Sequence, residues 1–377
     1  MHSSALFLLS ISSACLVTAA PSAPGAGLSL IKSSPTDPGT WVTEEQKITE
    51  YHAKDINFVD ITGISDPEVL AYYSLPEKKA PSLSARAVTY PSNISHRAEA
   101  DALIAQLSTS NLQSWAKTLT DFQTRHYQST FGVEAATWLS NHAKSISASN
   151  PAITVSEFTH SRSKQPSIIV RVPGSVTSSL VILGAHFDSI NDRSSSLSAR
   201  APGAIDNASG VVVLLETLRT IASSGLTPKA TLEFHFYAAE EGGMIGSAEV
   251  FAKYKADAKT VLAMVNTDMA GYSPSGKISI WTDEDGVDQA LTRYVRTVAE
   301  AYTGETTEDT CGTRMCSDHN SATSNGFPAA YVCDEKRRTA FKVHNENDSY
   351  DKLQWDTVLR HTKFLTAFVV EASYLSG

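Results

Sequence analysis

The stretch LVILGAHFDS, residues 180–189, decides the fold class of this chain. Residues 180–184 form an apolar run that ends in glycine, which predicts a strand, and the polar His186 and Asp188 follow it. Outward from this stretch, short apolar runs alternate with helical patterns. Strands are predicted at 167–172, 180–184, 231–237, 261–266, 278–281 and 330–333, and helices at 95–107, 111–120, 132–144, 207–223, 245–255, 287–302 and 355–374. This alternation predicts an α/β fold whose mostly parallel sheet is covered by helices on both faces.

Three further acidic residues follow predicted strands in the same way. Glu240 and Glu241 come after the strand at 231–237, and Asp268 comes after the strand at 261–266. In open α/β sheets, ligands bind at the carboxyl ends of the strands. We therefore expect these acids and His186 to meet at one edge of the sheet.

Five residues supply the ligand types that two zinc ions need: His186, Asp206, Glu241, Asp268 and His344. Zinc binds imidazole nitrogen and carboxylate oxygen. A two-ion site needs one shared ligand, and a carboxylate can bridge where an imidazole cannot, so we assign Asp206 as the bridge. Three ligand carboxylates against two divalent ions leave about one positive charge, which is enough to bind and acidify water.

Glu240 is the acid of the pair that remains available as a general base. The glycines at 242 and 243 allow a turn that directs both neighbouring acids toward one cavity. Asp188 lies two residues beyond His186, on the same side of an extended segment. We expect Asp188 to accept a hydrogen bond from that imidazole and to orient it.

The amino-terminal 19 residues are interpreted as a signal peptide, so we expect a secreted, extracellular protein. An apolar run at 5–17 precedes small residues at 18–20, as a signal cleavage site requires. A transmembrane anchor is the alternative, but the run is shorter than the ~18 residues needed to span a bilayer. The net charge of -9 argues against nucleic acid or an anionic membrane as a partner.

Residues 20–88 are interpreted as a propeptide, and residues 89–377 as the catalytic domain. The amino-terminal part is rich in proline, serine and lysine and contains none of the predicted ligands. Lys78 and Lys79 mark a candidate processing site. A small domain that stays attached to the mature protein is the alternative.

The cysteines and sequons fit a secreted protein, in which disulfides persist. Cys311 and Cys316 enclose a short loop and are the expected disulfide, while Cys333 is expected to be a buried thiol in a strand. Asn93 and Asn347 are the expected glycosylation sites. The sequon at residue 207 adjoins the predicted bridge, so no glycan is expected there.

The ordered segments that carry these residues, together with 122–127 and 316–319, resemble the secreted zinc aminopeptidases that use two co-catalytic ions. The similarity is greatest to the fungal leucine aminopeptidase branch and runs from about residue 95 to the carboxyl end. The resemblance implies a single three-layer α/β/α sandwich around a mixed sheet. It places His186 and Asp268 on one zinc and Glu241 and His344 on the other. It also implies a signal and a removable pro-segment.

The resemblance further implies hydrolysis of the first peptide bond of peptides with a free amino terminus, by a water that bridges the ions, with Glu240 as the base. Leucine or another bulky apolar first residue is the implied preference, and Met269 matches an apolar residue of the family's side-chain pocket. Between the two loop cysteines, relatives have three residues including a tyrosine. This chain has four residues there, at 312–315, and no tyrosine. In relatives, that tyrosine lies near the transition state. The departure therefore bears on the contact to the oxyanion of the transition state and on the preference for the first residue.

Two other functions fit parts of the pattern. A glutaminyl cyclase would use a similar sheet with one zinc, and a receptor-like binding module would keep the fold without its ions. The complete ligand set favours a peptidase with two zinc ions and peptide substrates. We expect this peptidase to be a monomer. Because that set is already complete, His319 is not expected to be a ligand. His235 lies within a predicted strand and His361 on the closing helix, and both are expected to be structural.

Overall fold

The computed structural model describes residues 27–74, 88–283, 286–334 and 342–376. The predicted signal peptide and the candidate processing site at Lys78 and Lys79 lie outside these residues. Within them, the strands are β1 Ser29–Lys32, β2 Thr40–Val42, β3 Val59–Asp60, β4 Thr154–Phe158, β5 Ser167–Val172, β6 Thr177–His186, β7 Ala230–Tyr237, β8 Val261–Thr267, β9 Ser279–Trp281, β10 Thr307–Asp309 and β11 Ala329–Cys333. The helices are α1 Glu44–Gln46, α2 Pro67–Tyr72, α3 Arg97–Ile104, α4 Thr109–Asp121, α5 Thr130–Ser147, α6 Ser209–Ser224, α7 Ile245–Ala256, α8 Gln289–Thr303, α9 His319–Ser324 and α10 Trp355–Ala372.

The centre of the molecule is a mixed sheet in the order β10-β9-β11-β8-β6-β7-β5-β4. Strands β7, β6, β8 and β11 run parallel to one another. Toward one edge, β5 pairs antiparallel with β7, and β4 pairs antiparallel with β5. Toward the other edge, β9 pairs antiparallel with β11 and parallel with β10. Parallel strands need cover on both faces because each of their faces is apolar. The expected α/β sandwich around a mixed sheet is confirmed as a single domain.

The apolar run at the start of β6 shows how the two faces are filled. Val181 and Leu183 pack in the larger core, with side chains of α3 to α6, α8 and α10. Leu180 and Ile182 pack in the smaller core, with side chains of α7 and α9. Alternate side chains of a strand point to opposite faces, so one continuous apolar run contributes to both cores.

Two strands of the main sheet were not predicted. Strand β4 has side chains that are mostly exposed or half-buried, and β10 has only three residues, so neither forms an apolar run.

Helix α6 begins at Ser209 rather than at residue 207. The side chain of Asn207 accepts a hydrogen bond from the Gly210 N–H at 2.9 Å, which caps this helix from just outside it.

The amino-terminal segment, residues 27–74, forms a small antiparallel sheet in the order β2-β1-β3, together with α1 and α2. This sheet was not predicted, because its strands have two to four residues each. The segment has its own apolar cluster, which includes Val59 and Tyr73 and also Met244 and Met315 from the main body. In the described ranges, no helix is both long and apolar enough to cross a membrane.

Candidate metal centre

Strand ends supply three of the five predicted ligands. His186 is the last residue of β6, and Asp268 directly follows the last residue of β8. Glu241 lies four residues beyond Tyr237, the end of β7. Because β6 pairs in parallel with both β7 and β8, these three side chains meet at the carboxyl edge of the central strands.

The other two ligands come from loops. Asp206 lies in an irregular helical segment, Ala204–Ala208, and its φ of -112° departs from helical geometry. His344 belongs to the loop before α10 and has a left-handed φ of 58°, which non-glycine residues adopt rarely. The structure thus brings all five predicted ligands to one place.

Asp206 lies between two pairs of side chains. Its Oδ1 is 3.1 Å from Nε2 of His186, and that nitrogen is 3.4 Å from Oδ1 of Asp268. Its Oδ2 is 3.0 Å from Nε2 of His344, which is itself 3.2 Å from Oε2 of Glu241. Each oxygen of this carboxylate therefore faces one imidazole and one further acid, as a bridge between two cations would.

The three carboxyl groups of the cluster outnumber its two imidazoles, so the side chains alone do not balance the negative charge. Burial raises the pKa of the Glu241 carboxyl to about 8, against the opposing effect of His344. Although burial opposes it, the charges of Glu241 and Asp206 raise the pKa of His344 to about 9. Both shifts favour additional positive charge at the cluster, as a cation site requires.

The donor set fits zinc. Oδ1 of Asp206 and Oε1 of Glu241 are buried and accept no hydrogen bond from the described residues, which is costly for a buried oxygen unless another group satisfies it. Ligand atoms of His186, Asp206 and Asp268 lie within 4.8 Å of one another. Imidazole nitrogens combined with carboxylate oxygens are typical zinc ligands.

Glu240 lines the same cleft as Asp206, Glu241 and His344. Its side chain is half-buried, and burial raises its pKa well above the ordinary range of a carboxyl, with Glu241 adding to the rise. A carboxyl with a raised pKa beside a cation site is suited to proton transfer near neutral pH.

The turn after β7 needs its two glycines. A Cβ on Gly242 would lie 2.7 Å from the Tyr127 ring, and one on Gly243 would lie 2.6 Å from the backbone nitrogen of Asp60. Gly243 also has a φ of 102°, which favours glycine. The tight turn places the two consecutive acids, Glu240 and Glu241, on the wall of one cleft.

Asp188 connects two of the strand ends. It lies 3.4 Å from Nδ1 of His186, an ion-pair distance. Its two oxygens accept hydrogen bonds from the backbone N–H groups of Glu240 at 3.0 Å and Glu241 at 3.1 Å. The sequence predicted a hydrogen bond from this imidazole, which at 3.4 Å stays a prediction, and did not predict the backbone contacts.

Asp348 is a positioning residue that the sequence did not reveal. Its carboxylate accepts hydrogen bonds from the backbone N–H groups of Ile205 at 2.8 Å and Asp206 at 3.0 Å. It is completely buried, which is unusual for a residue that follows an exposed asparagine in a sequon. Burial was the missing signal, because the sequence pattern around residue 348 is typical of a surface loop.

The remaining predicted site residues lie apart from the ligand cluster. Met269 follows Asp268 with its side chain in the larger core, so its place in a substrate pocket stays a prediction. Asn93 and Asn347 are exposed, and Asn207 is buried, as the glycosylation predictions require. His235, His319 and His361 belong to neither of the two groups of candidate metal ligands found among the described residues.

The predicted disulfide between Cys311 and Cys316 is confirmed, with 6.2 Å between their Cα atoms. Cys333 is buried in β11, where its sulfur accepts a hydrogen bond from Nε1 of Trp281 at 2.7 Å. The disulfide loop reaches the cleft, because Met315 and Cys316 line it.

Comparisons with known proteins agree on one family. The family model described as peptidase family M28 matches residues 167–369. Leucine aminopeptidase 1 of Aspergillus clavatus is 39% identical over 350 residues, which cover 89% of this chain and 86% of that protein. A probable leucine aminopeptidase of Trichophyton verrucosum is 37% identical over 348 residues, which cover 89% of each chain.

A solved structure shares the fold. The crystal structure of the LapA aminopeptidase of Legionella pneumophila matches with a TM-score of 0.76 and 24% identity. The match covers 88% of this chain and 90% of that one.

Proposed function

Because this chain belongs to peptidase family M28 and is a zinc-dependent aminopeptidase of the fungal leucine aminopeptidase branch, we propose that it removes single residues from the free amino termini of peptides, using two zinc ions. The observation that carries this proposal is the placement of Asp206, whose two carboxylate oxygens face different imidazoles at 3.1 and 3.0 Å. We assign one ion to His186 and Asp268, the other to Glu241 and His344, and the shared position to Asp206.

The side chains of the cleft define the chemistry. When bound, zinc supplies a Lewis acid that lowers the pKa of water and polarises a carbonyl. Bound zinc could also hold an unblocked amino terminus through its nitrogen lone pair, which an acetylated amide nitrogen does not offer. Glu240 takes a proton from the attacking water at its carboxylate and delivers it to the departing amine.

Asp188 and Asp348 act as positioning residues in this proposal. Asp188 fixes the backbone of Glu240 and Glu241, so the base and one ligand keep a constant separation. Asp348 fixes the backbone of Asp206. Hydrogen bonds that orient metal ligands influence metal affinity, in addition to the ligands themselves.

The test is a metal count combined with two substrates on the processed chain. Leucine 4-nitroanilide is expected to be hydrolysed with two zinc ions per chain, and N-acetyl-leucine 4-nitroanilide is expected to be inert. A panel of first residues then tests the preference for leucine. One zinc per chain, with cyclisation of an amino-terminal glutamine and no release of leucine, would instead identify a glutaminyl cyclase and overturn the proposal.

We also propose that the chain is secreted as a monomer after loss of residues 1–19, and that residues 20–88 are then removed. The disulfide at Cys311 and Cys316 and the exposed sequon residues Asn93 and Asn347 support an oxidising, glycosylating route. The mass and amino-terminal sequence of the protein recovered from culture medium test this. A start between about residues 80 and 90 is expected, and retention of residue 20 onward would contradict it.

A further inference from the structure

The amino-terminal segment, residues 27–74, lies against the mouth of the metal cleft. Ile56, Asn57 and Phe58 line the cleft together with Glu240 and His344. The backbone N–H of Asp60 donates to the carbonyl of Gly243 at 3.0 Å, in the turn that follows the two acids. The segment thus covers the cleft from the side of Glu241 and His344.

His52 is the residue of this segment that reaches the ligands. Its Nε2 lies 2.8 Å from the backbone carbonyl oxygen of Glu241. Its ring meets the ring of His344 edge to face, with 5.3 Å between centroids. One ligand atom each of His52, Glu241 and His344 lie within 4.8 Å of one another, so the three form a second group that can hold a metal.

The chemistry of this group differs from that of an open catalytic site. A catalytic zinc has three protein ligands and keeps a further position for water or substrate, whereas a structural zinc has its positions filled by protein. Glu241, His344 and the shared Asp206 already provide three ligands. An imidazole from the segment that bound the same ion would occupy the position that water needs. A zinc-binding imidazole commonly donates its other N–H to a backbone carbonyl, and the carbonyl of Glu241 is in place for this.

We propose that, in the chain that retains residues 27–74, His52 is a ligand of the zinc held by Glu241 and His344, and that it keeps the enzyme latent until the segment is removed. This inference rests on the two-zinc function proposed above. It adds a metal ligand from outside the catalytic region and gives the segment a chemical role at the cleft.

A buried lysine anchors the helical turn that carries His52. Lys47 is 1% exposed, and its Nζ lies 3.1 Å from both Glu44 and Asp60 and donates to the carbonyl of Gly242 at 2.9 Å. A buried charge is tolerated only when it is paired and hydrogen-bonded, as this one is. These contacts join the segment to the Gly242-Gly243 turn. They are made by Lys47, which lies five residues before His52 in sequence.

The disulfide loop holds the other end of the segment. The guanidinium of Arg314 donates to the backbone carbonyl of Tyr72 at 2.7 Å and lies 5.0 Å from the centroid of its ring. Met315 packs in the apolar cluster of the segment. Two of the four residues between the loop cysteines, Arg314 and Met315, therefore contact the segment, which gives this departure a structural role.

The test compares unprocessed chains that differ at residue 52. A glutamine at this position keeps an N–H donor for the carbonyl of Glu241 but is a poor zinc ligand. His52→Gln is therefore expected to weaken one of the two zinc dissociation constants at least about tenfold, measured by chelator competition. Cobalt loaded in place of zinc should show an absorption spectrum in His52→Gln that approaches that of the processed wild type.

Activity gives a second measurement. The unprocessed His52→Gln chain is expected to hydrolyse leucine 4-nitroanilide at least about tenfold faster than the unprocessed wild type. Lys54→Gln is the matched control, because Lys54 lies in the same turn with its side chain 54% exposed. It should match the wild type in zinc affinity, cobalt spectrum and rate.

Two outcomes would overturn the proposal in distinguishable ways. If the processed chain binds two zinc ions and is active, but His52→Gln leaves the zinc affinity and cobalt spectrum of the unprocessed chain unchanged, His52 is not a ligand and only this inference fails. If the processed chain itself binds fewer than two zinc ions, the proposed function and this inference fail together.

Discussion

Asp206 presents its two carboxylate oxygens to different imidazoles, and this geometry depends on backbone contacts outside the ligand set. Asp348 holds the backbone nitrogen of Asp206 at 3.0 Å, and burial raises the pKa of Asp348 to about 7. At the scale of single residues, further acidic side chains therefore hold the proposed ligands in place. Substitutions of ligands, base and positioning acids should have different effects.

Replacement of the base should separate chemistry from metal binding. Glu240→Gln is expected to lower kcat for leucine 4-nitroanilide by roughly 10²- to 10⁴-fold, because the proton acceptor is lost. Zinc content, measured by mass spectrometry of the metal, should not change. Glu241→Gln is the contrasting variant and should lose zinc as well as activity. Full activity in Glu240→Gln would refute its assignment as the base.

Replacement of the positioning acid should weaken metal binding without removing a ligand. Asparagine at residue 348 keeps one acceptor oxygen and presents an NH₂ group to the other backbone N–H. Asp348→Asn is expected to weaken zinc binding by roughly 10- to 100-fold, measured by competition with a chelating dye. Asp351→Asn, on an exposed side chain of the same loop, is the control. Equal affinities in the two variants would show that Asp348 does not position the bridge.

At the scale of elements, strand β7 contains a polar network remote from the metal cleft. Glu233 is 3.0 Å from Nε2 of His235 and also contacts Arg171 at 2.6 Å. Although burial opposes it, His235 and the other partners lower the pKa of Glu233 to about 2. A carboxyl whose pKa is lowered in the folded state stabilises the fold above its ordinary pKa. That contribution is lost as the pH falls toward the folded-state value.

The resulting pH dependence can be measured by unfolding in denaturant. At pH 6, Glu233→Gln is expected to lower the free energy of unfolding by up to about 3 kcal/mol, the size of the pKa shift. The difference from wild type should shrink between about pH 4.5 and pH 2. A chelator in all samples removes the effect of zinc. Glu134→Gln, on the exposed side of α5, should show no such trend, and a constant difference for Glu233→Gln would contradict the assignment.

The elements also show which features a sequence can predict. Strands β6, β7, β8 and β11 were predicted because buried parallel strands need continuous apolar runs. The antiparallel strands β5 and β9 were predicted as well, because they are mostly buried and apolar. Strand β4 was missed because an edge strand with exposed side chains lacks that run, and the three-residue β10 is too short to show one. The strand-end ligands were found for the same reason, since each follows an apolar run.

At the scale of the whole molecule, the unpredicted features depend on contacts between distant parts of the chain. His52 reaches a carbonyl that lies 189 residues later, and Asp348 binds the backbone 142 residues earlier. The local periodicity of apolar residues does not predict contacts between residues so far apart in sequence. The sequence therefore predicted the five side chains that the structure brings together, and Asp188 beside His186, but not Asp348 or the segment that covers the cleft.

Zinc is expected to stabilise the entire fold, because the buried carboxylates repel one another without it. Ligand present at 100 times its dissociation constant adds about 2.7 kcal/mol of stability, so chelation should lower the Tm by roughly 3–8 °C. Differential scanning calorimetry with and without chelator measures the change. Zinc added back should restore the Tm, and a Tm insensitive to chelation would show that the cluster binds no metal.

The central claim is that Asp206 bridges two zinc ions, and anomalous diffraction at the zinc absorption edge tests it most directly. Crystals of the processed protein should show two anomalous peaks per chain on either side of the Asp206 carboxylate. One should lie beside His186 and Asp268, and the other beside Glu241 and His344. A single peak per chain, or two peaks that do not share Asp206, would contradict the account.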